Sequence, residues 1–111
     1  MCMFSGKKCV PCEDKTLRPL EREDVELFVQ ELKGWSVSDV YTSIHKEFVF
    51  DTFVDAIDFI NQVADIAEIE GHHPDICCFY NKVTLTLSTH SINGLTQNDF
   101  ILASKIDDML M

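Results

Sequence analysis

A strict alternation of apolar and polar residues between positions 83 and 89 constrains the fold more than any other feature of the sequence. The apolar positions are Val83, Leu85 and Leu87, and the polar positions among them are Thr84, Thr86 and Ser88. Successive side chains of a strand point to opposite faces, so this pattern predicts a β-strand in a sheet with one buried face. Such a sheet needs a second layer over its apolar face, and helices are the natural candidates for that layer.

Helices and further strands are predicted on both sides of this segment. Apolar residues at helical spacing predict helices over residues 21–33 and 53–70 and a third helix that begins near Gln97. Strands are predicted over residues 35–40, 43–50, 75–80 and 83–89. The order α-β-β-α-β-β-α predicts an α+β fold, a two-layer sandwich of a four-stranded antiparallel sheet with helices on one face.

The central helix has the clearest pattern. Its predicted apolar face consists of Phe53, Ile57, Ile60, Ala64 and Ala67, widened by Ala56 and Val63. Thr52 has the spacing of an N-cap for this helix, and Gly71 is predicted to end it before Pro74. Thr96 is predicted to cap the third helix, with Asp99 three residues further on.

The length of 111 residues predicts a single domain. Residues 1–19 have no apolar periodicity, so we expect a flexible N-terminal arm followed by a domain of residues 20–111. Cys9 and Cys12 in the arm form a lone C-x-x-C pair. We interpret them as exposed thiols in preference to a redox pair or half of a metal site, because a structural zinc needs four ligands.

Charge and composition exclude several classes of function. The formal net charge of −10 argues against unaided binding to nucleic-acid phosphates or to an anionic membrane surface. No segment approaches the about 20 apolar residues of a spanning helix, and the N-terminus lacks the apolar run of a signal peptide. An odd number of cysteines, five, favours reduced thiols. We therefore expect a cytoplasmic protein with no direct nucleic-acid or membrane partner.

Three of the four histidines fall near one predicted hairpin. In the predicted register a two-residue turn at Asn81 and Lys82 closes this hairpin. His73 then lies opposite His90, and directly opposed residues have Cβ atoms about 5 Å apart. His72 lies beside them, so the sequence predicts that three imidazoles converge.

Converging imidazoles suit proton transfer, because histidine both donates and accepts a proton near neutral pH. Surface histidines without a function and a three-histidine zinc site stay open as alternatives. From spacing alone, Asp99 is interpreted as a helix cap and Glu68 as an ordinary polar residue. His45 is interpreted as structural or exposed, and at least one of the adjacent Cys77 and Cys78 is expected in the core.

Two segments of the sequence resemble the pterin-4a-carbinolamine dehydratases. They are EIEGHHP at residues 68–74 and YNKVTLTLSTHSINGLTQND at residues 80–99. An acidic residue, His-His-Pro, a Tyr and a Val, Thr-His, and Gly-Leu-Thr before an Asp occur together there with the family's spacing. Gly34-Trp35 and the Phe-rich strand before the central helix are also similar to the family, so the likeness covers about residues 20–109.

The resemblance implies an enzyme, a 4a-hydroxytetrahydrobiopterin dehydratase (a hydro-lyase). It would convert the pterin-4a-carbinolamine to quinonoid dihydropterin and water, recycling tetrahydrobiopterin for aromatic amino-acid hydroxylases without a metal or cofactor. The resemblance also implies a homodimer or homotetramer. The implied catalytic residues are His72, His73, His90 and Asp99, and the implied substrate-binding residues are Glu68, Gly71, His72, His73, Ser88, Thr89 and His90.

Two positions depart from the family's pattern. Gly71 stands where many relatives have Asp, and Ile76 stands where some have Trp. Both departures concern substrate affinity rather than the type of reaction. Because some members of the family act as dimerisation partners of transcription factors, the alternative function is a coactivator-type binding module with a vestigial site.

Overall fold

The structure, a computed structural model, describes residues 19–110, so the rest of the predicted arm, with its Cys9–Cys12 pair, lies outside the described residues. The helices are α1 (Arg22–Gln30), α2 (Phe53–Glu70) and α3 (Gln97–Met109), and the strands are β1 (Ser36–Val37), β2 (Ile44–Val49), β3 (Asp75–Phe79) and β4 (Lys82–Leu87). The strands form one sheet in the order β1-β2-β4-β3, and all neighbours are antiparallel. The predicted α+β fold with a four-stranded antiparallel sheet is confirmed.

The ends of the helices follow the capping residues of the sequence. Thr52 accepts a hydrogen bond from the Asp55 N–H at 3.1 Å, which satisfies one of the unpaired N–H groups at the start of α2. Gly71 ends α2 in the left-handed conformation, with φ 67°. Helix α1 has no side-chain cap and ends at Gln30, earlier than predicted, although Gly34 does adopt a positive φ of 80°.

One apolar core lies between the helices and the sheet. The three alternating apolar residues of β4, Val83, Leu85 and Leu87, are fully buried, as their pattern predicts. The other large members of the core are Val25, Leu32, Trp35, Ile44, Phe48, Phe59, Val63, Leu95, Phe100, Ile101, Leu102 and Ile106. The sheet thus presents its apolar face to the helices and its polar positions to the opposite side.

Helix α2 buries most of its predicted face, with a small rotation. Ala56, Val63 and Ala67 are buried as predicted, and Ile57 and Ile60 are half-buried. Phe59 is buried although it was not predicted to be, whereas Phe53 and Ala64 are exposed. The helix is apolar around much of its circumference, so spacing alone does not identify the edges of the buried face. The ring of Phe59 packs against Phe48 and Phe50 at centroid distances of 4.7 and 5.0 Å, and these contacts set the orientation of the helix.

No helix within residues 19–110 combines the length and the apolar character needed to cross a membrane.

The first hairpin is shorter than predicted, because β1 contains only Ser36–Val37. The Ser38 hydroxyl accepts the N–H groups of Thr42 and Ser43 at 3.1 and 3.2 Å and turns the chain early.

The β3–β4 hairpin has a different register from the predicted one. Phe79 pairs with Lys82, so the turn residues are Tyr80 and Asn81. Tyr80 adopts a positive φ of 55°. The Asn81 side-chain amide donates to the Phe50 carbonyl at 2.7 Å, and the Asn81 carbonyl accepts the Phe50 N–H at 2.8 Å. These contacts with the end of β2 fix Asn81 inside the turn.

The predicted pairing of His73 with His90 is therefore wrong. The register differs by two residues, which leaves every side chain on its predicted face because the strand period is two. Continuing the observed register places His73 opposite Ser88. His90 leaves the sheet and begins a 3₁₀ turn, His90–Ile92.

Asp107 ties α3 to the sheet. Its carboxylate accepts hydrogen bonds from the Trp35 indole N–H and from the Lys46 ammonium, each at 3.0 Å. Lys46 also donates to the carbonyl of Lys33 at 2.6 Å. Because the Asp107 side chain is only 15% exposed, these charge-assisted bonds are screened less than those of a surface pair.

We expect Asp107→Ala to destabilise the protein by about 1–3 kcal/mol, because the mutation leaves the buried Trp35 N–H without its acceptor. Urea unfolding followed by the fluorescence of this tryptophan measures the change. Asp108→Ala, which changes the adjacent acidic residue of α3, is the matched control and should lower the free energy of unfolding by less. Equal losses in the two variants would contradict the role of Asp107 as the anchor.

Candidate active site

A cavity of about 160 Å³ opens where the ends of α2 and β4 meet the 3₁₀ turn. It is lined by Gly71, His72, His73, Ser88, His90 and Ser91. Sites for drug-sized ligands typically have volumes of about 300–1,000 Å³. This cavity is therefore suited to hold one part of such a ligand, and its wall contains three imidazoles.

His72 is the buried imidazole of the cavity, with 3% of the residue exposed. Its Nε2 lies 2.6 Å from Oδ1 of Asp99. A carboxylate only accepts hydrogen bonds, so Nε2 carries the proton in this contact and Nδ1 is the basic nitrogen of the neutral ring. The backbone N–H of His72 donates to the Ala67 carbonyl at 3.2 Å, so the end of α2 holds the backbone while Asp99 holds the ring.

Asp99 is fully buried, and three donors hold its carboxylate. Oδ1 accepts from His72, and Oδ2 accepts from the Thr89 hydroxyl at 2.9 Å and from the Thr96 N–H at 3.0 Å. The last contact is half of the capping box of α3. Asp99 thus caps α3 and contacts a cavity imidazole with the same carboxylate. Throughout residues 19–110, every buried side-chain nitrogen and oxygen has a hydrogen-bond partner.

The other two imidazoles are exposed, and each has a carboxylate neighbour. His73 Nε2 lies 2.5 Å from Glu68 Oε2, on the last turn of α2. His90 Nε2 lies 3.9 Å from Asp75 Oδ1, at the start of β3. Exposed ion pairs contribute little to stability. These two ion pairs therefore contribute little to the folding of the chain.

The structure divides the residues implied by the family resemblance into two groups. Gly71, His72, His73, Ser88 and His90 line the cavity. Glu68, Thr89 and Asp99 do not line it. Thr89 and Asp99 lie behind His72 in a buried hydrogen-bond network, and Glu68 lies beside His73 on the surface.

Ser91 lines the cavity but was not identified from the sequence. The 3₁₀ turn carries it to the wall, and an antiparallel bridge between Thr89 and Gly94 closes this turn. Asn93 adopts a positive φ of 51° there. The Asn93-Gly94 pair is a turn signal that would have predicted the departure from the strand.

The two positions that depart from the family's pattern have different surroundings. Gly71 has a φ of 67°, and a Cβ built on it meets no atom within 4 Å, so the cavity wall is open at this point. Ile76 pairs with Leu85, is 41% exposed and does not line the cavity.

His45 is exposed on β2 and lies outside the cavity, as its interpretation from the sequence expected. Of the two adjacent cysteines, Cys78 is half-buried and packs against the core, and Cys77 is exposed, so the expectation of one core cysteine is met only by the partly buried Cys78. Both lie on β3, which within residues 19–110 is an edge strand with a neighbour on one side only. Among residues 19–110 no three His, Cys, Asp or Glu side chains are placed to hold a metal ion, so the zinc hypothesis finds no ligand set in this part of the chain.

Residues 18–109 match the sequence model of a family described as Pterin 4 alpha carbinolamine dehydratase. The chain belongs to this family. The matched residues include all helices and strands described above and every residue that lines the cavity.

Similar proteins of the family cover most of the chain. A protein of Rubrobacter xylanophilus, provisionally named a pterin-4-alpha-carbinolamine dehydratase, is 40% identical over 107 residues, which span 96% of this chain and 98% of that protein. Pterin-4-alpha-carbinolamine dehydratase 2, mitochondrial, of Arabidopsis thaliana is 42% identical over 109 residues, which span 96% of this chain and 58% of that protein.

Solved structures agree with the fold. The crystal structure of a transcriptional coactivator/pterin dehydratase from Brucella Melitensis has a TM-score of 0.79 and 35% identity, covering 83% of this chain and 98% of that one. A pterin dehydratase-like protein described as a RuBisCO assembly factor in the alpha-carboxysome has a TM-score of 0.60 and 22% identity, covering 68% of this chain and 88% of that one. At that identity the second likeness concerns the fold alone.

We expect Asp99→Asn to lower the free energy of unfolding by about 1–3 kcal/mol, because an amide cannot accept from His72, Thr89 and Thr96 together. Asp75→Asn, which changes an exposed carboxylate beside His90, is the matched control and should change little. Urea unfolding of both variants measures the difference. An Asp99→Asn protein as stable as the control would contradict the network described here.

Proposed function

We propose that this protein dehydrates 4a-hydroxytetrahydropterin, with 4a-hydroxytetrahydrobiopterin as the expected substrate, to quinonoid dihydropterin and water. The observation that carries the proposal is a single cavity lined by His72, His73 and His90 in a chain of the pterin-4a-carbinolamine dehydratase family. Its chemistry would be general acid–base catalysis by imidazoles.

The reaction needs two proton transfers. The bond between C4a and the hydroxyl oxygen breaks, and this oxygen takes a proton from an imidazolium and leaves as water. The neighbouring ring nitrogen gives its proton to a neutral imidazole as the C=N bond forms. Histidine performs either role near neutral pH, and interacting imidazoles can share the two roles. Three imidazoles around one small cavity provide a donor and an acceptor without a further group.

The three imidazoles have different surroundings, which suits a division of roles. His72 is buried and bonded to Asp99, so its ring is held in one orientation. The side chains of His73 and His90 are 60% and 71% exposed, so they can exchange protons with water between turnovers.

The open wall at Gly71 bears on how the pterin is held. The cavity of about 160 Å³ would bind the reacting part of the pterin, and the rest of the molecule would extend past Gly71 into solvent. A cytoplasmic location stays a prediction from the sequence. A homodimer or homotetramer and a role in recycling tetrahydrobiopterin stay predictions of the family resemblance.

A second candidate is a coactivator-type binding module. It is favoured by the apolar side chains that α2 exposes, of which Val54 is 66% and Ile69 78% exposed. The Brucella relative, whose description names both a transcriptional coactivator and a pterin dehydratase, also favours it. If the folded protein does not accelerate the dehydration, the binding module becomes the favoured function.

We expect His73→Ala and His90→Ala each to lower the rate of dehydration by about 10²–10⁴-fold, the usual contribution of one general acid or base. Both side chains are exposed, so the fold should be retained. The rate is measured on chemically generated 4a-hydroxytetrahydropterin with a chelator present, which should leave the wild-type rate unchanged.

His45→Ala is the matched control, because it removes an exposed histidine outside the cavity. It should turn over substrate like the wild type. If both cavity variants retained near-wild-type rates, or if the chelator abolished activity, the assignment of these imidazoles as metal-free catalysts would be wrong.

A further inference from the structure

We propose that the Thr89 hydroxyl is a positioning group that acts on the cavity through Asp99 and His72, and is not a contact of the substrate. The inference rests on the proposed function for its kinetic part only. It starts from the burial of Thr89, which has 0% exposure although the adjacent Ser88 and His90 line the cavity.

The Thr89 hydroxyl has one proton and two close partners. It lies 2.9 Å from Asp99 Oδ2 and 2.8 Å from the Thr96 hydroxyl. Because the carboxylate only accepts, Thr89 donates to Asp99 and accepts from Thr96. The Thr96 hydroxyl oxygen in turn accepts a hydrogen bond from the Asn98 N–H at 3.2 Å. The hydrogen bonds therefore run in one direction, from the first turn of α3 through both hydroxyls to Asp99.

This arrangement fixes the rotation of the Asp99 carboxylate. Two donors, the Thr89 hydroxyl and the Thr96 N–H, hold Oδ2, and this directs Oδ1 toward His72 Nε2 at 2.6 Å. Without the Thr89 hydroxyl, one of the two bonds on Oδ2 is lost and the carboxylate can rotate. His72 would then lose the fixed acceptor that keeps its proton on Nε2.

The backbone of Thr89 supports a second imidazole. Its N–H donates to the Gly94 carbonyl at 2.9 Å, and its carbonyl accepts the Ile92 N–H at 3.2 Å. These bonds close the turn that carries His90. They do not involve the side chain, so a mutation of the hydroxyl alone tests its effect on His72 and leaves the support of His90 in place.

The test compares Thr89→Val, which keeps the branched shape and removes the hydroxyl, with Thr89→Ser, which keeps the hydroxyl. Nitrogen-15 NMR of the imidazoles reports which ring nitrogen of His72 is protonated and does not depend on activity. We expect the proton on Nε2 in the wild type and in Thr89→Ser. In Thr89→Val we expect a mixture of the two tautomers.

In the dehydration assay, Thr89→Val should lower kcat by about 10- to 100-fold with KM unchanged, because a small misplacement of a reacting group costs this much. Thr89→Ser should restore kcat. In a protein that already carries Asp99→Asn, adding Thr89→Val should not lower kcat further, because the Thr89 hydroxyl acts through the Asp99 carboxylate.

A Thr89→Val protein with the wild-type tautomer of His72 and the wild-type kcat would overturn the inference. A raised KM with unchanged kcat would also overturn it and would assign Thr89 to substrate binding. A changed tautomer in a protein whose wild type has no dehydratase activity would support the positioning role and refute the proposed function. If Thr89→Val does not fold, the test is the rate at which the Thr89 hydroxyl proton of the wild type exchanges with solvent. Slow exchange supports the inference, and fast exchange overturns it.

Discussion

The buried hydrogen bond between His72 and Asp99 is the contact on which the fold and the site both depend. It joins the residue that follows the end of α2 to the first turn of α3, two segments 27 residues apart in the chain. The same carboxylate completes the capping box of α3. A buried carboxylate is tolerated only when its hydrogen bonds are made, so the packing of α3 and the orientation of the imidazole are established together.

Strand β4 and the turn that follows it position the rest of the site. Strand β4 carries its apolar residues into the core and ends at Leu87, and the chain then turns at His90. Exposed His73 and His90 therefore lie on the solvent side of the cavity while His72 lies on the protein side. A rigid buried imidazole beside two accessible ones fits a reaction in which one proton is delivered and another removed within one small cavity.

Much of this arrangement could be predicted because it depends on local rules. The alternation over β4, the caps at Thr52 and Thr96 and the stop at Gly71 are properties of short segments, and the structure contains them. The errors have tertiary causes. The turn at Tyr80 and Asn81 depends on hydrogen bonds to Phe50, 31 residues away, and the buried face of α2 depends on the aromatic contacts of Phe59. The role of the Thr89 hydroxyl requires distances that spacing does not contain.

Binding of the pterin in this cavity can be measured by titrating a stable 7,8-dihydropterin into nitrogen-15-labelled protein and following the backbone amides. Binding in the cavity should shift only the amides of residues 71–73 and 88–91, which form the cavity wall and the turn beside it. Saturable binding that shifts the amides of the exposed face of α2 and leaves the cavity amides unchanged would show that the pterin does not bind in the cavity.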